Sequence, residues 1–205
     1  MTATARRLRP IRTPVPNRIL EAAQRRFEKY GYRRTGMIEI ARDAGIAAGT
    51  LYRYFDSKED IFLRVAETET EGWLATARKV LDEPGSAVER LARLAQASLE
   101  YNAESKLFRS VMARDTEIIF APLLEDLHEH VLRENVAMMA RVIRDGIAEG
   151  SIAPIDADKA AYILWITGDA LFRHDVSRPY ANVLPVLTEL ILNGLLPRTA
   201  DRRDT

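Results

Sequence analysis

The sequence predicts an all-α fold of about nine helices, and three observations predict it. Apolar residues recur at helical spacing along most of the 205-residue chain. No stretch of useful length alternates apolar and polar residues as a strand would, and there is no internal repeat. Residues 38–55, IEIARDAGIAAGTLYRYF, contain two short helical runs joined by a glycine turn. That layout is typical of a helix-turn-helix.

Residues 1–16 hold four arginines and three prolines, which predicts an extended basic arm. The first helix is expected over residues 17–30, with Asn17 as its cap and Gly31 ending it. One face of this helix would carry the residues Ile19, Ala23, Phe27 and Tyr30.

The second helix is expected to begin at Thr35 and to turn three residues inward: Ile38, Ile40 and Ala41. Residues 43–46 would form the turn, where Gly45 can take a positive φ without a steric penalty. The third helix is expected over residues 48–54. In a helix-turn-helix this last element is the recognition helix, which enters the DNA major groove.

Ser57 is expected to cap the fourth helix, with Asp60 three residues later as in a capping box, and this helix would run to about residue 81. Further helices are expected at residues 86–104, 106–115, 122–149, 156–175 and 182–193. The predicted domains are a flexible arm (1–16), a helix-turn-helix DNA-binding domain (17–57), and a helical ligand-binding and dimerisation domain (58–205).

The last helix is apolar on more than one side, so it needs cover on both sides. The helix before it offers small residues that permit close approach, including Gly168. We therefore expect a homodimer through helices 156–175 and 182–193, paired as a four-helix interface. The alternative is that the last helix is enclosed within one subunit.

Charge is distributed unevenly although the chain is neutral overall. Residues 1–58 carry 13 basic and 5 acidic residues, a balance of +8, and residues 59–205 carry 17 and 25, a balance of −8. The positive excess beside the helix-turn-helix favours binding of double-stranded DNA phosphates.

Composition excludes several other classes. The chain has no cysteine, its three histidines lack metal-site spacing, and no phosphate loop, nucleophile elbow or zinc signature occurs. No metal, no cofactor and no enzymatic activity are therefore expected. No apolar run approaches the roughly 18 residues of a membrane span, and no secretory signal is present, so a cytoplasmic protein is expected.

Residues 19–62 resemble the tetracycline-repressor (TetR) family of transcriptional regulators. The resemblance is carried without gaps by Ala22-Ala23, Phe27, Gly31-Tyr32, Thr35, Met37, Ile40-Ala41, Ala44-Gly45-Ile46, Gly49, Leu51-Tyr52, Tyr54-Phe55, Lys58-Glu59 and Phe62. It implies a homodimeric repressor whose body binds a ligand that moves the DNA-binding heads apart. The resemblance also implies phosphate contacts by Thr35, Tyr52, Arg53, Tyr54 and Lys58, and places Ala48, Gly49 and Thr50 at base edges.

Three departures from the family pattern reduce direct reading of bases. Ala47 stands where the family commonly has a capping serine, Ala48 offers only a methyl group, and Gly36 replaces a frequent hydroxyl residue. Thr50, the arginine arm and DNA shape are therefore expected to supply more of the specificity.

The body is expected to bind a hydrophobic or amphipathic small molecule. The candidate ligand-binding residues are Trp73, Tyr101, Phe108, Met112, His128, Tyr162, Trp165 and Asp169. Asp169 could anchor a cationic ligand or pair with an arginine such as Arg173. The alternative function is a DNA-binding regulator or architectural protein that has no small-molecule ligand.

Overall fold

All regular secondary structure in the described residues is helical, which confirms the all-α class. The computed structural model describes residues 16–105, 107 and 121–173. Seven helices lie in these ranges: α1 (Asn17–Tyr30), α2 (Met37–Asp43), α3 (Ala48–Tyr54), α4 (Lys58–Asp82), α5 (Ala87–Glu104), α6 (Ala121–Glu149) and α7 (Ala157–Arg173). The helix expected at 106–115, apart from residue 107, and the helix expected at 182–193 lie outside the described residues.

The chain divides into two compact units. The first contains Met1–Trp73 and Asn102–His130, and the second contains Leu74–Tyr101 and Val131–Thr205. Within the described ranges, no helix combines the length and the apolar character that a membrane crossing requires.

The core of the first unit joins α1, α2, α3 and the start of α4. Ile19, Ile40, Leu51 and Phe62 are almost fully buried there. The Phe62 ring packs edge-on against the Phe27 ring, with 5.3 Å between their centroids. Burying a large apolar side chain contributes about 1.5–3 kcal/mol, so these contacts hold the three short helices in place.

Several local expectations are confirmed. Gly45 has a φ of 66° in the turn between α2 and α3. The Asp60 amide donates to the Ser57 hydroxyl over 3.2 Å, which is the predicted cap of α4. Ala47 precedes α3 and makes no side-chain cap, as the missing hydroxyl requires.

One expected cap and one expected helix start are wrong, although α1 begins at Asn17 as expected. Pro16 rather than Asn17 is the N-cap of α1, and no side chain caps that helix. The second helix begins at Met37 after an extended Gly36, and not at Thr35. The Thr35 hydroxyl instead donates to the Gly31 carbonyl over 2.9 Å, so it closes the end of α1.

The expected burial of Ile38 is also wrong, because its side chain is 69% exposed. Ile40 and Ala41 face the core, and a residue two positions before Ile40 lies on nearly the opposite side of a helix. Tyr30 is likewise more exposed than the inward residues of α1, because it lies at the last turn of that helix.

In the second unit, α6 passes close to the start of α5 at a glycine. A Cβ atom placed on Gly146 would lie 2.6 Å from the Ala87 Cβ and 2.7 Å from the Ile152 Cδ1. The Arg90 side chain stabilises the same region by donating to the Leu81 carbonyl over 2.6 Å and to Asp145 over 3.4 Å.

We expect Gly146→Ala to lower the free energy of unfolding by about 1–3 kcal/mol, because the added methyl group overpacks this contact. Urea unfolding followed by circular dichroism measures the change. Gly49→Ala in α3 is the matched control, because a Cβ at Gly49 meets no atom within 4 Å. Equal stability of the two variants would contradict the prediction.

Candidate nucleic-acid interface

The helix-turn-helix is closed by backbone hydrogen bonds at its turn. The Ile46 amide donates to the Ala41 carbonyl over 3.0 Å, and the Gly45 amide donates to the Arg42 carbonyl over 3.1 Å. These bonds satisfy the last carbonyls of α2 and direct the chain into α3.

Helix α3 has one buried side and one exposed side. Leu51 and the following Phe55 lie in the core, whereas Gly49, Tyr52 and Arg53 are exposed. Tyr52 keeps 52% of its surface exposed, so its hydroxyl can reach a partner outside the chain. A recognition helix likewise buries one side and exposes the other to DNA.

The other expected base-contact residues lie beside this exposed side. Ala48 and Thr50 are half-buried, and Ala48 packs against the core of the unit. Tyr54 is half-buried and also packs on that core. The ring of Tyr54 thus has a structural contact in addition to its expected DNA contact.

Thr35 and Lys58, both expected at phosphates, are engaged within the chain. Thr35 is only 2% exposed, and its hydroxyl is used at Gly31. The Lys58 ammonium donates to the Tyr32 carbonyl over 2.8 Å and lies 4.0 Å from the centroid of the Tyr32 ring. Since an ammonium has three donors, this carbonyl uses one of them.

An ion pair that the sequence analysis missed ties α1 to α2. The Arg26 Nε lies 3.0 Å from the Asp43 Oδ2, and Arg26 is 8% exposed. The sequence did indicate that Arg26 is buried, because it falls between Ala23 and Phe27 on the apolar side of α1. A charged residue at such a position needs a partner.

The sequence did not predict a polar network around Glu69. The Gln24 side chain of α1 donates to a Glu69 carboxylate oxygen of α4 over 2.8 Å. The Ser105 hydroxyl, immediately after α5, donates to the other oxygen of Glu69. Glu69 therefore connects helix α1 to Ser105 through side-chain hydrogen bonds.

The candidate ligand residues fall in both units. Trp73 is buried, and His128 is half-buried with its Nδ1 2.6 Å from the Leu124 carbonyl oxygen; both belong to the first unit. The second unit contains four others: Tyr101, Tyr162, Trp165 and Asp169. Phe108 and Met112 lie outside the described residues.

Helix α7 exposes an apolar strip. Its exposed members are Tyr162, Ile163 and Ile166. Residues three and four positions apart are neighbours on a helix, so the three side chains lie on one side of it. The side chain of Arg173, the alternative partner of Asp169, lies outside the described residues.

Known proteins are similar to this chain in sequence and in fold. A family model described as bacterial regulatory proteins, tetR family, matches residues 19–65. The transcriptional repressor KstR2 of Mycolicibacterium smegmatis is 30% identical over 142 residues, which cover 68% of this chain and 69% of KstR2.

Two solved structures have the same fold. A TetR/AcrR-family transcriptional regulator from Thermobifida fusca matches with a TM-score of 0.71 and 24% identity, over 87% of this chain and 96% of that one. FadR from Bacillus subtilis in complex with stearoyl-CoA matches with a TM-score of 0.67 and 23% identity, over 90% and 99%. The chain belongs to the TetR family of bacterial transcriptional regulators.

Proposed function

We propose that this regulator is a repressor, which binds a palindromic operator as a homodimer and is released by a hydrophobic or amphipathic small molecule. The observation that carries the proposal is the two-sided α3, with Leu51 in the core and Gly49, Tyr52 and Arg53 exposed. A short helix anchored on one side and open on the other can enter a major groove without disturbing its own core.

The proposed DNA contacts fall into two groups. Thr35, Tyr52, Arg53, Tyr54 and Lys58 would bind phosphates, and Ala48, Gly49 and Thr50 would face base edges. The Thr35 hydroxyl has one hydrogen to donate, and it donates it to the Gly31 carbonyl. To donate to a phosphate, it must first break that hydrogen bond. The Lys58 ammonium can keep its bond to Tyr32 and still donate to a phosphate.

We propose that residues 17–57 bind DNA and that residues 58–205 bind the effector and form the dimer. The exposed strip Tyr162, Ile163 and Ile166 supports a contact through α7, since grouped exposed apolar side chains mark interaction surfaces. The dimer would pair helices 156–175 and 182–193 of both subunits. Half-sites about 34–36 Å apart would then be bound together.

The proposed effector class rests on the family and on the apolar candidates, Trp73 among them. FadR of Bacillus subtilis was solved with stearoyl-CoA, which is an amphipathic ligand. An effector need only favour the state that cannot bind DNA, and a coupling of about 1–3 kcal/mol changes affinity about 5–150-fold. We propose no resident cofactor, metal or catalytic activity, and a cytoplasmic location.

The test uses the full-length protein and a labelled promoter fragment from its own genome. Binding is measured by fluorescence anisotropy over a range of salt concentrations, and stearoyl-CoA is then added as the first probe. We expect salt-sensitive binding, release by the probe, and a change in tryptophan fluorescence that Trp73→Phe or Trp165→Phe diminishes.

Absence of salt-sensitive binding to any genomic fragment would contradict the proposed function. Binding that no fatty acyl-CoA, steroid or other amphipathic probe reverses would instead favour the regulator without a ligand. These residues would be removed from the effector site if stearoyl-CoA released both tryptophan variants from DNA as it releases the wild type. The change in fluorescence that the probe causes would then also be the same in the variants as in the wild type.

We expect deletion of residues 1–15 to weaken operator binding and to reduce its salt dependence, because four arginines are lost. The slope of log K against log salt should fall by about 0.9 for each arginine that contacts a phosphate. Unchanged affinity and slope would show that the arm does not contribute. A variant with the four arginines replaced by glutamine, at full length, separates charge from length.

A further inference from the structure

Tyr32 lies in the turn between α1 and α2, and its ring is held by two buried aromatic residues. The Phe27 ring stacks on it at 5.9 Å between centroids. The Phe62 ring meets it edge-on at 5.4 Å. Both partners belong to the core of the unit, so the position of the phenol is fixed by packing on two sides.

The hydroxyl of Tyr32 holds an acid at the start of α4. It donates to the Glu59 Oε1 over 2.7 Å. This bond is the largest cause that lowers the pKa of Glu59 below its ordinary value. Burial, followed by the same bond, raises the pKa of the Tyr32 phenol. Glu59 is therefore ionised at neutral pH, and its carboxylate is occupied by the phenol.

The same residue also holds the neighbouring cation. The Lys58 ammonium donates to the Tyr32 carbonyl over 2.8 Å and lies 4.0 Å from the centroid of the Tyr32 ring. A cation at this distance is attracted by the face of the ring. Tyr32 thus binds Lys58 with its carbonyl and ring face, and Glu59 with its hydroxyl.

Opposite charges on consecutive helical residues do not normally face each other. Here both side chains contact Tyr32, Lys58 at the ring face and Glu59 at the hydroxyl, and the charge of Lys58 also lowers the pKa of Glu59. The Ser57 side chain and the Glu59 backbone also hydrogen-bond to this carboxylate and lower its pKa. If the phenol hydroxyl were absent, Oε1 would lose its Tyr32 donor and could pair with the ammonium. An ammonium paired with a carboxylate is a weaker partner for a phosphate, because the two anions compete for it.

We propose that Tyr32 is a positioning residue for DNA binding, which keeps the Lys58 ammonium apart from the Glu59 carboxylate and presents it to a DNA phosphate. The inference rests on the proposed function, because it assigns Tyr32 a role at the proposed interface. Tyr32 also lowers the ordering cost of binding, since the flexible lysine side chain is already held in one place.

A double-mutant cycle tests the proposal. Tyr32→Phe keeps the ring, and so its packing and the cation–π contact, but it removes the bond to Glu59. We expect this variant to bind operator DNA about three- to tenfold more weakly, with a salt slope smaller by about 0.9 for each protomer that loses its phosphate contact. Glu59→Gln removes the competing charge, so Tyr32→Phe/Glu59→Gln should bind within about twofold of Glu59→Gln alone.

Tyr30→Phe is the matched control, because it removes the hydroxyl of an exposed tyrosine two residues away and should leave binding unchanged. Thermal unfolding of every variant shows whether lost stability accounts for lost binding. The inference is overturned if Tyr32→Phe binds like the wild type. It is also overturned if the double variant binds as weakly as Tyr32→Phe. If the hydroxyl had only a structural role, removing the charge of Glu59 would not restore binding.

The wild-type protein separates this inference from the proposed function. Wild type that shows no salt-dependent DNA binding overturns both. Wild type that binds, together with either contrary result in the variants, overturns only the role of Tyr32.

Discussion

Replacing Gly49 with glutamate is expected to abolish operator binding, with a loss of at least about 100-fold, or roughly 2.8 kcal/mol. A Cβ at Gly49 meets no atom within 4 Å, so the protein can accommodate a side chain there. The carboxylate would extend from the exposed side of α3 into the proposed DNA contact, where it blocks close approach and repels phosphates.

The same change should not destabilise the protein. Gly49 is the second residue of α3, whose first turn contains no acid. An acid near a helix N-terminus contributes about 0.3–1 kcal/mol, and replacing a helical glycine adds about 0.5–1 kcal/mol. Loss of binding with equal or higher stability would therefore locate the effect at the DNA contact.

The matched control is Ala75→Glu, which adds the same charge at an exposed position of α4. Fluorescence anisotropy with operator DNA and urea unfolding are measured for both variants. If Gly49→Glu bound DNA as well as Ala75→Glu, the exposed side of α3 would not be the DNA-binding surface.

The largest effect on stability is expected from Phe62→Ala, which should lower the free energy of unfolding by about 3–5 kcal/mol. Phe62 is 1% exposed, and its ring packs against both Phe27 and Tyr32. Alanine would leave a cavity where α1, the following turn and α4 meet, so DNA binding should weaken as well.

Ile38→Ala is the control for this variant, because it removes an apolar side chain of similar class from an exposed position in the same unit. Its effect should lie within about 0.5 kcal/mol. Urea unfolding at one protein concentration measures both, since the proposed dimer would make stability concentration-dependent. A Phe62→Ala variant as stable as Ile38→Ala would contradict the proposed core.

Helices α2 to α4 show which features the local sequence predicts well. The turn at Gly45 and the cap at Ser57 depend on residues within five positions of each other, so their types and spacing were sufficient. The start of α2 was misplaced because Thr35 had two local options, capping α2 or bonding back to Gly31. Serine and threonine hydroxyls can either cap the helix that follows them or donate to a carbonyl of the preceding turn, so residue type does not decide between the two.

The sequence by itself determined the all-α class, the approximate positions of the described helices and the family, because hydrophobic spacing and turn residues act over short distances along the chain. Only the tertiary structure decided that Lys58 meets the Tyr32 carbonyl, that Arg26 meets Asp43, and that Gln24 reaches Glu69. These partners lie 17 to 45 positions apart, and many side chains of suitable charge could have served each of them. Helix packing selects one partner by bringing it within hydrogen-bond distance, and periodicity along one helix contains no information about that choice.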